Sequence, residues 1–308
     1  MSSRNNKEFN RFNQLGAGWN ALFTVILTIA ALMVVIPMIL VVIISFSSQA
    51  SFGARGYSFF PTEWTTAGYD ALFKMGDTLV DSYIITIFYT VAGTVMSLTV
   101  STMYAYVLSI KGFNCHNFYT WILAFTMLFG GGLIPSYILN VRYLHLNDTV
   151  WIFLLPSLAS AYNIIMLRTF LTTTVPDSLI EAGRIDGAGY FRVFISIVLP
   201  LFKAGIATIA LFNVVGRWND WFTGMLYIEN PKLVPLQTFL QKIQNNLDFM
   251  KKNAQMAGTP DGLRILKSMP EESVRMACTI LVVVPIMCAY PFFQRYFVKG
   301  LTVGSIKG

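Results

Sequence analysis

The 308-residue chain is 55% hydrophobic and only 12% charged, with a formal net charge of +7. Soluble domains carry about 25% charged residues, so this composition excludes an ordinary soluble enzyme and points to a membrane protein. The three cysteines, Cys115, Cys278 and Cys288, have no zinc or redox spacing and read as small apolar or incidental residues.

A helical span needs about 20 apolar residues to cross about 30 Å of hydrocarbon. Six runs meet or approach that length. The first, Ala21 to Ile44, is uncharged and follows the basic lead containing Arg4, Lys7 and Arg11. Its length exceeds the apolar core of about 7 to 15 residues in a cleaved signal peptide, so it reads as an uncleaved span. Ser45 to Asp81 then supplies Pro61, Trp64 and several Tyr and Phe, which suit the headgroup region, with an external docking surface as the alternative.

The second run is Ser82 to Ile110. The third, Phe118 to Leu139, contains Gly130-Gly131-Gly132 and Pro135, which predict either an interrupted helix or close packing, packing being preferred. The fourth extends from Thr149 to Leu167, the fifth from Ile197 to about Val215 with Lys203 at its entrance, and the sixth from Met276 to Phe293. Six spans place both termini on one side. Outside the long connection between the last two spans, that side holds eleven Lys and Arg, and the opposite side has Arg55, Lys74 and Arg142. The positive-inside rule then predicts cytoplasmic N and C termini. These cytoplasmic charges account for half of the 22 basic residues, so the net charge requires no nucleic-acid partner.

Between the fourth and fifth spans lies a polar island, Val175 to Pro200. Pro176 suits the start of a helix, and Asp177 and Glu181 suit its positive end, so a short helix is predicted over Pro176 to Asp186. Gly187 and Gly189 break it. A second helix begins near Tyr190 and is disturbed by Pro200.

The spacing Glu181-Ala182-Gly183, three residues, Gly187, nine residues, Ile197-x-Leu199-Pro200 resembles the EAA loop of permease subunits in ABC importers. Gly183 departs from the usual Ala, while Asp186-Gly187-Ala188 is typical of the family. The resemblance implies an all-α polytopic membrane protein of the type I ABC importer permease fold. It implies a cytoplasmic coupling helix that docks on an ATPase, with coupling residues Glu181, Ala182, Gly183, Asp186, Gly187 and Pro200.

Further on, Arg217-Trp218-Asn219-Asp220-Trp221 and Leu233 to Leu240 resemble segments of carbohydrate-type permeases. Indole faces stack on sugar rings and amide or carboxylate groups satisfy hydroxyls, so Trp218, Asn219, Asp220 and Trp221 are candidates for the substrate path. The competing reading makes them interface anchors and packing residues. The connection 229 to 273 is too long to be incidental and shows no obvious regular structure. By resemblance it is extracellular and reaches toward a sugar-binding protein, with Asn245, Asn246, Met256 and Gly258 as contacts; a plug over the subunit's own opening is the alternative. The stretch Gly130 to Tyr137, Met166 to Phe170 and the ending Gly300-Leu301-Thr302-Val303-Gly304-Ser305-Ile306-Lys307-Gly308 resemble the complex-oligosaccharide branch of the family.

The expected organisation is a tail over 1–18, a six-span domain over 19–298 containing the coupling loop 175–200, and a cytoplasmic tail over 299–308. The resemblance implies a heterodimer with a second homologous permease in a bacterial cell membrane, an ATPase dimer, an extracellular binding protein and an oligosaccharide substrate. No phosphate-binding loop, paired acids or metal constellation is visible, so the chain is expected to bind no cofactor, with ATP and Mg held by the partner ATPase. A different solute, or an ion-coupled secondary transporter, is the alternative; the span centres hold almost none of the ionisable residues a secondary transporter uses.

Overall fold

The computed structural model describes residues 16–257 and 271–304. Among these the chain is helical; its one β-type pairing is an isolated bridge between Ser47 and Trp64. It divides into two compact units, one running through Ala71 and taking in Ala254–Ile280, the other holding Leu72–Asn253 and the segment from Leu281 onward.

In the first unit, α1 (Ala17–Ser45) has 29 residues without a charge and, among the described residues, no buried residue before Ile44 in its last turn, as expected of a helix whose solvent is lipid. Its last turn closes through the Phe46 N–H on the Ile43 carbonyl. Helix α2 (Gln49–Arg55) starts on Ser48, whose side chain accepts from the Ser51 N–H. The buried Ser51 hydroxyl in turn accepts from the N–H groups of Thr62 and Glu63, at 2.8 and 2.9 Å, so one oxygen folds this segment back on itself. Helix α3 (Ala67–Phe73) brings Tyr69 to Ser45, 2.9 Å between hydroxyls, and to the Phe46 ring, 4.8 Å between centroids.

The second unit is built around α4 (Gly76–Ser109). Ser82, Thr86, Thr90, Gly93, Thr94, Ser97 and Ser101 recur every three or four residues and are buried. Small side chains on one face let neighbouring helices approach closely, and α8 (Ala161–Thr174) and α12 (Lys203–Trp218) pack there.

The third, fourth and fifth apolar runs are not simple rods. Helix α5 (His116–Leu128) stops before the three glycines, and α6 (Leu133–Ile138), continued by a wide π-type turn over Leu139–Tyr143, leaves at 112°. Gly132 has φ +83°, a left-handed conformation that glycine adopts freely, and among the described residues nothing lies within 4 Å of a Cβ built on Gly130, Gly131 or Gly132. The glycines therefore interrupt the helix, which corrects the preference for close packing. The fourth run is also divided: α7 (Trp151–Leu154) ends ahead of Pro156 and α8 restarts at Ala161, with Ser160 accepting from the Asn163 N–H. At 1.5 Å per residue, a helix the length of α8 covers only about 21 Å, so Thr149 to Leu167 is not the continuous span expected.

After α9 (Asp177–Ile185), α10 (Tyr190–Val193) passes through a π-type turn over Phe194–Val198 into α11 (Leu199–Leu201), then bends by 80° into α12. Pro200 supplies no N–H to the turn before it, which weakens the helical ladder where it bends. Among the described residues three continuous helices are long and apolar enough to cross a membrane, α1, α4 and α15 (Glu271–Gly304), or five if each bent pair counts as one span.

The connection expected to lack regular structure contains α13's successor, a 22-residue helix: α13 (Phe222–Tyr227) leads through a turn at Pro231–Leu233 into α14 (Leu236–Ala257). Leu236, Phe239, Leu240 and Ile243 are buried along it at helical spacing. Helix α15 continues past Val298, the expected end of the membrane domain, to Gly304.

Candidate functional site

The loop 175–200 rests on a core formed by Tyr106, Leu167, Leu171, Val175, Val193, Phe194, Val198 and Phe202, all buried. Helix α9 sits on this base through Gly183. A Cβ at Gly183 would lie 2.7 Å from Ile197 Cδ1 and 3.4 Å from Val193 Cγ2, so the missing side chain sets how closely α9 approaches the next helix.

Both ends of α9 are fixed. Pro176 is its N-cap, and Asp177 in the first turn meets Lys111 Nζ at 2.5 Å. This hydrogen bond with Asp177, and then the carboxylate's charge, raises the Lys111 pKa. At the other end the Gly187 N–H donates to the Arg184 carbonyl and the Ala188 N–H to the Gly183 carbonyl, each at 3.0 Å, with Gly187 at φ +82°. This pair of bonds is the Schellman arrangement, which consumes carbonyls that a helix end otherwise leaves unpaired. Arg184 lies over the Tyr190 ring, 4.1 Å from its centroid, and donates to the Tyr190 hydroxyl, tying α9 to α10.

The outward face carries Glu181, Ala182, Asp186 and Gly187, all exposed, with Leu179 and Ile185. Ile185 is 86% exposed. An isoleucine opposite the buried Gly183 face of a short capped helix is a surface shaped for contact with something else. The sequence reading passed over it, although its position, out of phase with Ile180 and Gly183, was the signal. Pro200 stands apart at the bend between α11 and α12.

The segment 218–221 is a joint between α12 and α13. Trp218 is 6% exposed, and its indole N–H donates to the Val282 carbonyl at 3.0 Å. Asp220 Oδ1 accepts from the Thr223 N–H at 3.0 Å and holds the first turn of α13. Trp218 is therefore packed inside, while Asp220 is half-buried. Asn219 and Trp221 face outward; Asn219 Oδ1 accepts from Gln237 Nε2 at 3.0 Å, and Trp221 is 44% exposed. Gln237 is a polar neighbour that the sequence reading did not include.

Asn245 and Asn246 are exposed on α14 near Phe249, which is 67% exposed. Met256 lies on the same helix, its side chain undescribed, and Gly258 falls outside the described residues, as do Arg4, Lys7, Arg11 and Lys307. No group of three His, Cys, Asp or Glu able to hold a metal occurs among the described residues.

These features define a helical membrane protein that presents one short, capped, amphipathic helix between α8 and a bent apolar segment. No family model matches the chain. It is 34% identical over 278 residues to YtcP of Bacillus subtilis (strain 168), named as a polygalacturonan/rhamnogalacturonan transport system permease protein, with 90% of this chain and 94% of that one covered. LplC of the same strain is 34% identical over 274 residues, covering 89% and 90%. A solved bacterial ABC transporter involved in the import of the acidic polysaccharide alginate contains a chain that superposes with TM-score 0.76 at 31% identity, covering 96% of this chain and 99% of that one. The chain belongs to the family of carbohydrate-type ABC importer permeases, and is a multi-pass membrane transport subunit.

Proposed function

We propose that this subunit carries an oligosaccharide, delivered by an extracellular binding protein, across the bacterial cell membrane as half of a heterodimer with a second homologous permease. The observation that carries this reading is the exposed face of α9, held by bonds at both ends above an apolar core. A rigid helix with an outward carboxylate and an outward isoleucine can transmit force to the spans instead of absorbing it. Glu181 is assigned as acceptor of charge-assisted hydrogen bonds from a basic residue of the ATPase, Ala182, Asp186 and Gly187 shape the surface around it, and Gly183 seats the helix from behind. ATP and Mg belong to that partner; this chain supplies no step of hydrolysis.

The arrangement is assigned six spans, counting the bent and divided runs, with 175–200 and both termini cytoplasmic and 229–273 extracellular. Asn219, Gln237 and Trp221 are assigned to the outer substrate path. Asn245, Asn246, Met256 and Gly258 are assigned to binding-protein contact. Relatives named for polygalacturonan/rhamnogalacturonan and for alginate make acidic oligosaccharides the first substrate class to test.

The test is uptake by the complete transporter in proteoliposomes with its binding protein. Oligogalacturonides are expected to enter at the expense of ATP, and Glu181→Lys is expected to abolish uptake while leaving the chain inserted. Uptake unaffected by Glu181→Lys overturns the coupling assignment, and uptake restricted to neutral sugars overturns the acidic class.

A further inference from the structure

Two helices meet the 175–200 loop, α8 entering it and α12 leaving it, and one side chain joins the far end of α12 to the segment that leads into α8. Arg217, in the last turn of α12, is 8% exposed. Its guanidinium donates to the Phe153 carbonyl at 2.7 Å and to the Ser157 carbonyl at 3.2 Å. Phe153 lies in α7 and Ser157 in the interruption between α7 and α8, where the helical ladder breaks around Pro156. The arginine supplies donors that the backbone there lacks.

The node extends to α4. The Tyr89 hydroxyl donates to the Arg217 backbone carbonyl at 2.6 Å, and the Tyr89 ring stacks on Phe153, 4.7 Å between centroids. Gly93, one turn along α4 from Tyr89, leaves room for the guanidinium: a Cβ there would come within 2.6 Å of Arg217 Cζ. Among the described residues no carboxylate forms a salt bridge with this charge, and carbonyl oxygens take that part. Nearer the loop, Asn163 of α8 donates to Asn213 of α12 at 3.2 Å.

An ionised group among membrane helices is costly, and one satisfied by the carbonyls of a broken segment holds that segment in place. We propose that Arg217 is a positioning residue that clamps α8 and α12 into one lever, so that displacement of the 175–200 loop is carried to the far ends of both helices. Methionine at this position fills similar space but removes both guanidinium hydrogen bonds, leaving the Phe153 carbonyl only its longer bond from the Ser157 hydroxyl at 3.3 Å, and the interruption then flexes under load. Part of each ATP-driven stroke is lost in that flexing.

The inference rests on the coupling role of 175–200, and the test separates the two. Oligosaccharide uptake and ATP hydrolysis are measured together on the complete reconstituted transporter with binding protein. Arg217→Met is expected to lower uptake per ATP about fivefold or more with assembly intact, a ratio that a change in the amount of folded protein does not move. Arg217→Lys, which keeps the charge with different donor geometry, is expected to recover part of it. Gly93→Ala, which displaces the guanidinium without removing it, is expected to lower the ratio alone and add little in the Arg217→Met background. Should Arg217→Met fail to assemble, Gly93→Ala alone carries the measurement. An unchanged ratio in Arg217→Met, or in Gly93→Ala where that variant stands alone, overturns the clamp, as do additive effects of the two changes. Glu181→Lys, measured in parallel, shows whether the coupling reading itself has failed.

Discussion

Gly183 and Ile197 are in contact across the 175–200 loop, with no room between them for an unadjusted methyl group: a Cβ on Gly183 would stand 2.7 Å from Ile197 Cδ1. The obstructing atom is the free end of a flexible side chain, so it can swing aside. Alanine in place of a helical glycine also gains about 1 kcal/mol of helix propensity. Gly183→Ala is therefore expected to be nearly neutral in thermal stability and in coupling. Gly183→Leu, which cannot be absorbed by one rotamer change, is expected to cost about 1–3 kcal/mol and to uncouple hydrolysis from uptake. A melting curve and a coupled assay on both variants check this; equal losses in the two would show that the contact does not set the approach of α9.

Gly187 adopts φ +82°, where a β-branched residue is strained and asparagine is tolerated. Gly187→Val is expected to cost about 1–2 kcal/mol and to disturb the end of α9, while Gly187→Asn retains most of the coupled activity. Proline, with φ fixed near −65° and no N–H for the Arg184 carbonyl, is expected to be worse than either. The ranking Asn, Val, Pro in binding-protein-stimulated ATPase activity is the measurement, and a flat ranking contradicts the capped-helix account.

The two tryptophans of the 218–221 joint are expected to separate cleanly. Trp218→Ala removes a buried indole and its hydrogen bond to Val282, at a cost of about 3–5 kcal/mol, so yield and melting temperature fall for every substrate. Trp221→Ala leaves stability nearly unchanged and weakens uptake of the preferred oligosaccharide. If Trp221→Ala transports normally across substrate concentrations, the outer-path assignment fails.

Asp148 fastens the outgoing end of α13 to the loop before α7. Its Oδ1 accepts from the Glu229 N–H at 3.1 Å and from the Asn230 N–H at 2.8 Å, while its own N–H donates to the Tyr227 carbonyl at 2.9 Å. It also sits at φ +54°. Asp148→Asn keeps an acceptor and the backbone preference, and is expected to be mild. Asp148→Ala loses both, at about 1–3 kcal/mol, and is expected to speed amide exchange at Glu229 and Asn230. Unaltered exchange in the alanine variant would remove the clasp from this description.

The lengths of the apolar runs, the short helix before Gly187 and the family resemblance were legible in the sequence because each rests on local chemistry. A charge-free run favours lipid wherever the chain places it, and a glycine two residues beyond a helix's last turn favours the left-handed end wherever that helix docks. Helix α14 was legible too, through Leu236, Phe239, Leu240 and Ile243, but was read as irregular. What the tertiary structure decided are the points where one segment completes another. A hydropathy window sums side chains and is blind to the carbonyls left without backbone donors around the break at Pro156, so the fourth run reads as continuous. The donors come from Arg217, 64 residues from Phe153, while Tyr89 reaches the Arg217 carbonyl across 128 residues. The same holds for Trp218 and Trp221, equal in kind and three residues apart, one buried against Val282 and the other exposed. Which indole is covered depends on which helix passes beside it, and that is fixed by packing alone.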